Sequence, residues 1–168
     1  NRKTAGIAAL IVLVIAGAVT WFMIRYPMTR TIADLESGDR TRVQAGIERI
    51  ATFSPADRAY ALGAARSTII AHFRDQVRMM LDTGEIDAAY SKAESILATG
   101  LATYPDAVEL ARLREEVATR KQRYLSELAE QYETYLAAGR LVDSRERGGI
   151  QGVMQRIRLV DPNHALLT

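Results

Sequence analysis

Between Thr4 and Ile24 the chain reads TAGIAALIVLVIAGAVTWFMI, 21 residues without a charge. As a helix such a segment extends about 31 Å, enough to cross a hydrocarbon core about 30 Å thick. Ten of the 21 residues are Ile, Leu, Val or Phe, and each favours insertion near the bilayer centre, by roughly 3 to 6 kcal/mol together. The run is too long and too uniformly apolar for a core helix. It also exceeds the apolar region of a cleaved signal peptide, usually about 7 to 15 residues. It therefore predicts a transmembrane anchor over residues 1–26. Thr4, Leu10, Val14, Gly17 and Ile24 lie in the span, and Trp21 and Tyr26 fall where an interfacial aromatic belt belongs.

Charge alone does not orient this span, because Arg2 and Lys3 on one side face Arg25 and Arg30 on the other. The chain begins at Asn1 rather than Met, and a basic flank or cytoplasmic domain upstream would place the N-terminus inside. The expectation is a single-pass protein of a bacterial inner membrane with a periplasmic C-terminal part. The small residues Ala5, Ala9, Ala16, Gly17 and Thr20 would let another helix approach closely.

The remainder has a different composition. Without Arg2 and Lys3 the charges balance at 20 basic against 20 acidic, which argues against a nucleic-acid partner, since such binding draws on a basic field. There is no Cys, so disulfide scaffolds, thiolate metal clusters and thiol nucleophiles are excluded. Apolar residues recur three and four apart, without strand-like alternation, so the part beyond the span is expected to be helical and the fold all-α.

Punctuation divides it. Pro27 marks the exit from the membrane and disfavours helix at Tyr26. A short helix over 28–37 ends at Gly38, and a second runs over 40–53 with Val43, Ile47 and Ile50 on one face. Ser54 caps and Pro55 opens a third, carried to about 82 by Ala59, Leu62, Ile69, Phe73, Val77 and Met80. After Gly84 a fourth passes through Ala89, Ala93, Ile96 and Leu97 to about 103. Pro105 and Asp106 begin a fifth, free of Gly and Pro from Ala107 to Ala138, which is one helix or two joined near Thr119 to Lys121. Gly139 ends it. The stretch 140–149 is a loop, and a helix over 149–159 turns Val153, Ile157 and either Val160 or Leu159 inward before an Asx-type turn at Asp161-Pro162-Asn163-His164.

Three copies of Leu-x-x-Gly followed by a charged residue, at Gly38, Gly84 and Gly139, are spaced 46 and 55 apart. Pro55, Pro105 and Pro162 follow these glycines by 17, 21 and 23 residues. Helix, glycine turn, helix, proline is the order of stacked helical hairpins, here about 28–53, 55–103 and 106–160 within a domain of residues 27–168. The segment LDTGEIDAAYSKAESILATGLATYPDAVEL, with Gly84 and Pro105, resembles a tetratricopeptide-like repeat with a lengthened second helix, and YLAAGRLVDSRERGGIQGVMQRIRLVDPNHALL resembles a second. Residues 38–55 equally resemble a HEAT-type hairpin. The tail is similar to the extracytoplasmic helical segments of bacterial membrane-anchored multidomain proteins, among them Ser/Thr kinases that carry repeats beyond one span. That resemblance implies a non-catalytic anchor and repeat portion of a larger signalling or assembly protein.

No catalytic constellation is evident. His72 and His164 are the two imidazoles, neither at metal-ligand spacing. Glu115, Glu116, Glu127 and Glu130 lie near Arg residues, the pattern of a solvated, salt-bridged helix face. No enzyme activity, metal or cofactor is expected, and two readings remain. One is a tethered module that binds protein partners. The other is a structural subunit that self-associates through the membrane span and the long fifth helix. A coiled-coil seam on that helix would place Lys121 and Gln131 at core positions, which weakens self-pairing. Packing of the long helix on its own neighbours is the expectation.

Overall fold

The structure is a computed structural model that describes residues 26–83, 85–140 and 149–167. The segment expected to span the membrane, with Thr4, Leu10, Val14, Gly17, Trp21 and Ile24, lies outside the described residues, as do Gly84 and most of the 140–149 loop. Among the described residues the chain is helical without a strand, so the fold is all-α. Among them no helix is long and apolar enough to cross a membrane.

The helices are α1 over 26–36, α2 Arg40–Ile50, α3 Pro55–Ala64, α4 Arg66–Thr83, α5 Ile86–Thr103, α6 Val108–Ala137 and α7 Gly149–Val160, followed by a 3-10 turn at Ala165–Leu167. The chain divides into two compact units, Asn1–His72 and Phe73–Thr168, and the division falls inside α4.

In unit 1, α1 and α2 pack as a hairpin around Leu35, Val43 and Ile50, with Thr31 and Gly46 also buried. The turn between them needs the left-handed backbone of Gly38, at φ +70°. Asp39 then caps α2 by accepting from the Arg42 amide at 2.9 Å. Close approach of the two helices depends on Gly46, where an added Cβ would lie 2.7 Å from Leu35 Cδ2. Ser54 caps α3, accepting from the Asp57 amide at 3.3 Å, with Pro55 in the first turn.

Several sequence expectations change here. Tyr26 is already helical; the proline that follows penalises helix at that residue without forbidding it. Helix α2 stops at Ile50, not 53, and residues 51–53 turn instead. The single helix expected over 55–82 is broken at Ala65, which leaves helical geometry at φ −99°, ψ 18°. The break moves the buried stripe onto Ala61, Ala65, Ile69, Phe73 and Val77, so Ala59 faces solvent while Leu62 and Met80 are half-buried. Ile47 and Ile96 are also only half-buried.

Unit 2 is built on α5, α6 and α7, each packed against the other two. Small residues on α5 let α6 approach: Ala89, Ala93, Leu97 and Gly100 are buried at spacings of four, four and three. A Cβ on Gly100 would come within 2.9 Å of Leu110 Cδ1 and 3.3 Å of the Phe73 ring. The turn around Pro105 is held by the Ala107 amide donating to the Tyr104 carbonyl at 3.1 Å, and α6 starts at Val108, after the proline. Helix α6 is one continuous helix of 30 residues, with Leu110, Leu113, Val117, Leu125 and Leu128 buried.

It ends in a Schellman turn at Gly139, φ +66°, where the Arg140 amide donates to the Tyr135 carbonyl at 2.9 Å and the Gly139 amide to Leu136 at 3.1 Å. On α7, Val153, Ile157 and Val160 point inward, and Leu159 is the exposed alternative. The chain then turns through Pro162, where the Asn163 amide donates to Asp161 Oδ1 at 3.0 Å. That is the expected Asx geometry.

Candidate functional site

Among the described residues, two polar clusters and two grooves stand out as candidates. The first cluster lies in unit 2, where each of three helices supplies one side chain. Asp87 stands in the first turn of α5, where the helix N-terminus favours a carboxylate. Tyr124 comes from the middle of α6 and Arg156 from α7. The Tyr124 hydroxyl donates to Asp87 Oδ1 at 2.5 Å and accepts from Arg156 Nη2. Arg156 Nε reaches the same carboxylate oxygen at 3.4 Å, and its guanidinium carbon lies 5.6 Å from the centre of the Tyr124 ring. The Tyr90 ring, tilted by 33°, is 5.8 Å away.

Burial pushes the Tyr124 phenol up to about 12, and the Asp87 carboxylate that accepts its proton adds to this against the opposing Arg156. At neutral pH the phenol therefore keeps its proton and acts as a hydrogen-bond donor, not as a base. The chemistry available to this trio is mutual: it fixes α5, α6 and α7 to one another. Lys121 adds a second tie, donating to both oxygens of Glu94 on α5 at 2.9 and 3.1 Å. The lysine expected to weaken a coiled-coil seam thus has a partner within its own unit.

The second cluster belongs to unit 1. Asp34 on α1 accepts from Arg42 Nη2 at 2.8 Å and Nε at 3.1 Å through one oxygen, and from Arg49 Nη1 at 2.9 Å through the other. Arg49 also donates to Thr31 Oγ1 at 3.3 Å. The Arg49 and then the Arg42 guanidinium hold the Asp34 carboxyl below the usual carboxylate range. This cluster, too, is spent on joining two helices.

Both histidines have structural surroundings. His72 is buried, with Nε2 3.4 Å from Gln44 Oε1. His164 Nδ1 accepts from the Leu166 amide at 3.3 Å at the 3-10 turn. Among the described residues no three of His, Cys, Asp and Glu are grouped to hold a metal ion.

The grooves differ in their walls. One, about 480 Å³, lies along the end of α6 and is lined by Glu127, Glu130, Gln131, Thr134 and Tyr135. The other, about 340 Å³, lies in unit 1 between α1 and α3 and is lined by Met28, Thr29, Ile32, Ala33, Glu36 and Tyr60. Tyr60 is 60% exposed at its rim. Sequence reasoning had not singled out Tyr60, because a lone tyrosine in the Ala-rich α3 carries no pattern.

The expected turn residues do not converge on one site. Gly38, Pro55, Pro105, Gly139 and Pro162 each occupy a separate turn or helix start, and Tyr26, 52% exposed, is the first described residue of α1. No protein-family model matches the chain, and neither a curated protein nor a solved structure matches it.

Proposed function

We propose that the chain is a non-catalytic, membrane-tethered helical module that mediates protein–protein interaction. Residues 4–24 form its single span in a bacterial inner membrane, and the helical part lies on the periplasmic side as a portion of a larger signalling or assembly protein. The support for the tether is the uncharged 21-residue run. Support for a tetratricopeptide-like plan is the recurrence of Leu-x-x-Gly turns followed by prolines, together with the all-α architecture.

One observation favours an interaction module over a self-associating structural subunit. The main apolar stripe of α6 is already buried within the same chain, at Leu110, Leu113, Val117, Leu125 and Leu128, in a helix packed against α5 and α7, while Val108 and Leu136 at its two ends stay exposed. A coiled coil between copies would have to displace α5 or α7. With 20 charges of each sign beyond residue 24, recognition rests on shape and helix packing rather than on a strong field, and nucleic acid is not a partner.

Light scattering tests the distinction. Residues 26–168, released from the apolar run, are expected to be helical, soluble and monomeric at micromolar concentration. A stable higher oligomer under those conditions would replace the interaction module with the structural subunit.

A further inference from the structure

The groove between α1 and α3 has an unusual address in the sequence. Tyr26 is two residues, and Met28 four, beyond Ile24, where the uncharged run ends. Whatever the conformation of the residues between, the reach of the chain keeps Tyr26 within about 7 Å and Met28 within about 14 Å of that end. A headgroup layer is about 5 to 7 Å deep on each side of the hydrocarbon. The start of α1 is therefore held at the depth of the bilayer surface.

What α1 presents there is set by its register. Tyr26, Thr29, Ala33 and Glu36 follow one another at spacings of three, four and three, so they form one stripe, and the last three line the groove. Met28 and Ile32 supply its apolar wall, and Tyr60 of α3 stands exposed at its rim. Two exposed tyrosines beside an apolar wall match the chemistry of a membrane interface, where an aromatic body meets the acyl boundary and its hydroxyl meets water and headgroups. The exposed ionic groups of these two helices, Arg30, Asp57, Arg58 and the groove-lining Glu36, balance. The attraction thus depends on apolar and aromatic groups rather than on anionic lipid.

We propose that the α1/α3 face of unit 1 lies on the lipid surface, with Tyr26 and Tyr60 as interfacial anchors and the groove seated against the headgroup region. The inference rests on the reading of residues 4–24 as a span, and its occupant is the bilayer itself. The short tether makes this the first surface the groove meets, ahead of a protein partner or a second copy.

The chain contains no cysteine, so single nitroxide labels can be placed cleanly. The full chain is reconstituted in vesicles of phosphatidylethanolamine and phosphatidylglycerol, labelled singly through Val14→Cys, Ala33→Cys, Ala64→Cys or Thr41→Cys, which leaves both tyrosines in place. Collisions with oxygen and with a water-soluble nickel complex are compared, and circular dichroism verifies each fold. Ala33, Ala64 and Thr41 are exposed, so the substitutions leave the core intact, and Ala64 lies one helical turn from Tyr60 on the same face of α3.

The expected result is deep oxygen access at 14, interfacial access at 33 and 64 with an oxygen-to-nickel ratio several-fold above that at 41, and aqueous behaviour at 41. This ordering should persist in high salt. A deep label at 14 with aqueous labels at 33 and 64 overturns the docking while leaving the span intact. An aqueous label at 14 overturns the span and the docking together. Spin–spin broadening at 33 and 64 that persists on dilution with lipid assigns the face to a second copy and overturns the lipid occupant. Interfacial access at 41 as well overturns its confinement to α1 and α3.

Discussion

Helix α7 of unit 2 and helix α3 of unit 1 are of similar length, 12 and 10 residues, yet α7 buries five of its residues and α3 only Ala61. The difference begins in the sequence. On α7 the branched residues Ile150, Val153, Ile157 and Val160 recur at spacings of three and four and fill a continuous stripe against α5 and α6. On α3, PADRAYALGA offers small side chains, and its one large aromatic, Tyr60, points away from the core. Unit 2 satisfies its own helices, with the ties among Asp87, Tyr124 and Arg156 and between Lys121 and Glu94 adding register to apolar burial. Unit 1 leaves a face of α3 little covered, beside a groove that it shares with α1. A helix that is locally capped but little buried draws little stability from the core of its own unit.

The largest effect that would break this contrast lies in unit 2. Leu128 is 0% exposed on α6, and Leu128→Asp places an uncompensated carboxylate there. The expected loss is at least about 3 kcal/mol, combining lost burial with charge desolvation. Thermal melting followed by circular dichroism should show the melting temperature falling sharply. An unchanged melt would mean that the α6 stripe is not a core, and the self-sufficiency of unit 2 would be lost with it.

The same contrast decides what could be foreseen. Helix limits governed by local chemistry were legible: the left-handed turns at Gly38 and Gly139, the Ser54-Pro55 start and the Asp161 Asx turn all act within a few residues. The break at Ala65 was not, because one non-helical residue between two helix-forming stretches leaves the periodicity almost intact. The Asp87–Tyr124–Arg156 trio was invisible for a different reason: its members stand 37 and 32 residues apart, and nothing local to any of them specifies the other two. The α1/α3 groove was hidden because exposure of Tyr60 follows from how little α3 buries, which is a tertiary property. Repeat-like punctuation told where helices stop. It did not tell which side chains would meet.

A smaller effect probes the polar ties. Tyr124→Phe keeps the ring but removes the hydroxyl between Asp87 and Arg156, for an expected loss of about 1 kcal/mol, softened because those two groups can pair directly. The pH dependence gives this prediction its sign. The phenol is raised from 10 in the unfolded chain to about 12 in the fold. Its contribution is complete below pH 10 and is lost as pH rises toward 12. Denaturant titrations of the parent chain should show stability falling across that window, and Tyr124→Phe should flatten this component. An identical alkaline profile in the variant would remove Tyr124 from the account.

The smallest expected effect has the opposite sign and belongs to unit 1. A Cβ added at Gly63, on exposed α3, would meet nothing within 4 Å. Gly63→Ala therefore gains helix propensity without a clash, about 0.5 to 1 kcal/mol. Gly46 on α2 is the matched control, since there the new Cβ would press on Leu35, which is fully buried and has no room to yield. Gly46→Ala should lose its propensity gain to that contact and lower the melting temperature, while Gly63→Ala raises it. If Gly63→Ala were as damaging as Gly46→Ala, the face of α3 near Gly63 would already be packed against something, and the uncovered helix that separates unit 1 from unit 2 would no longer distinguish them.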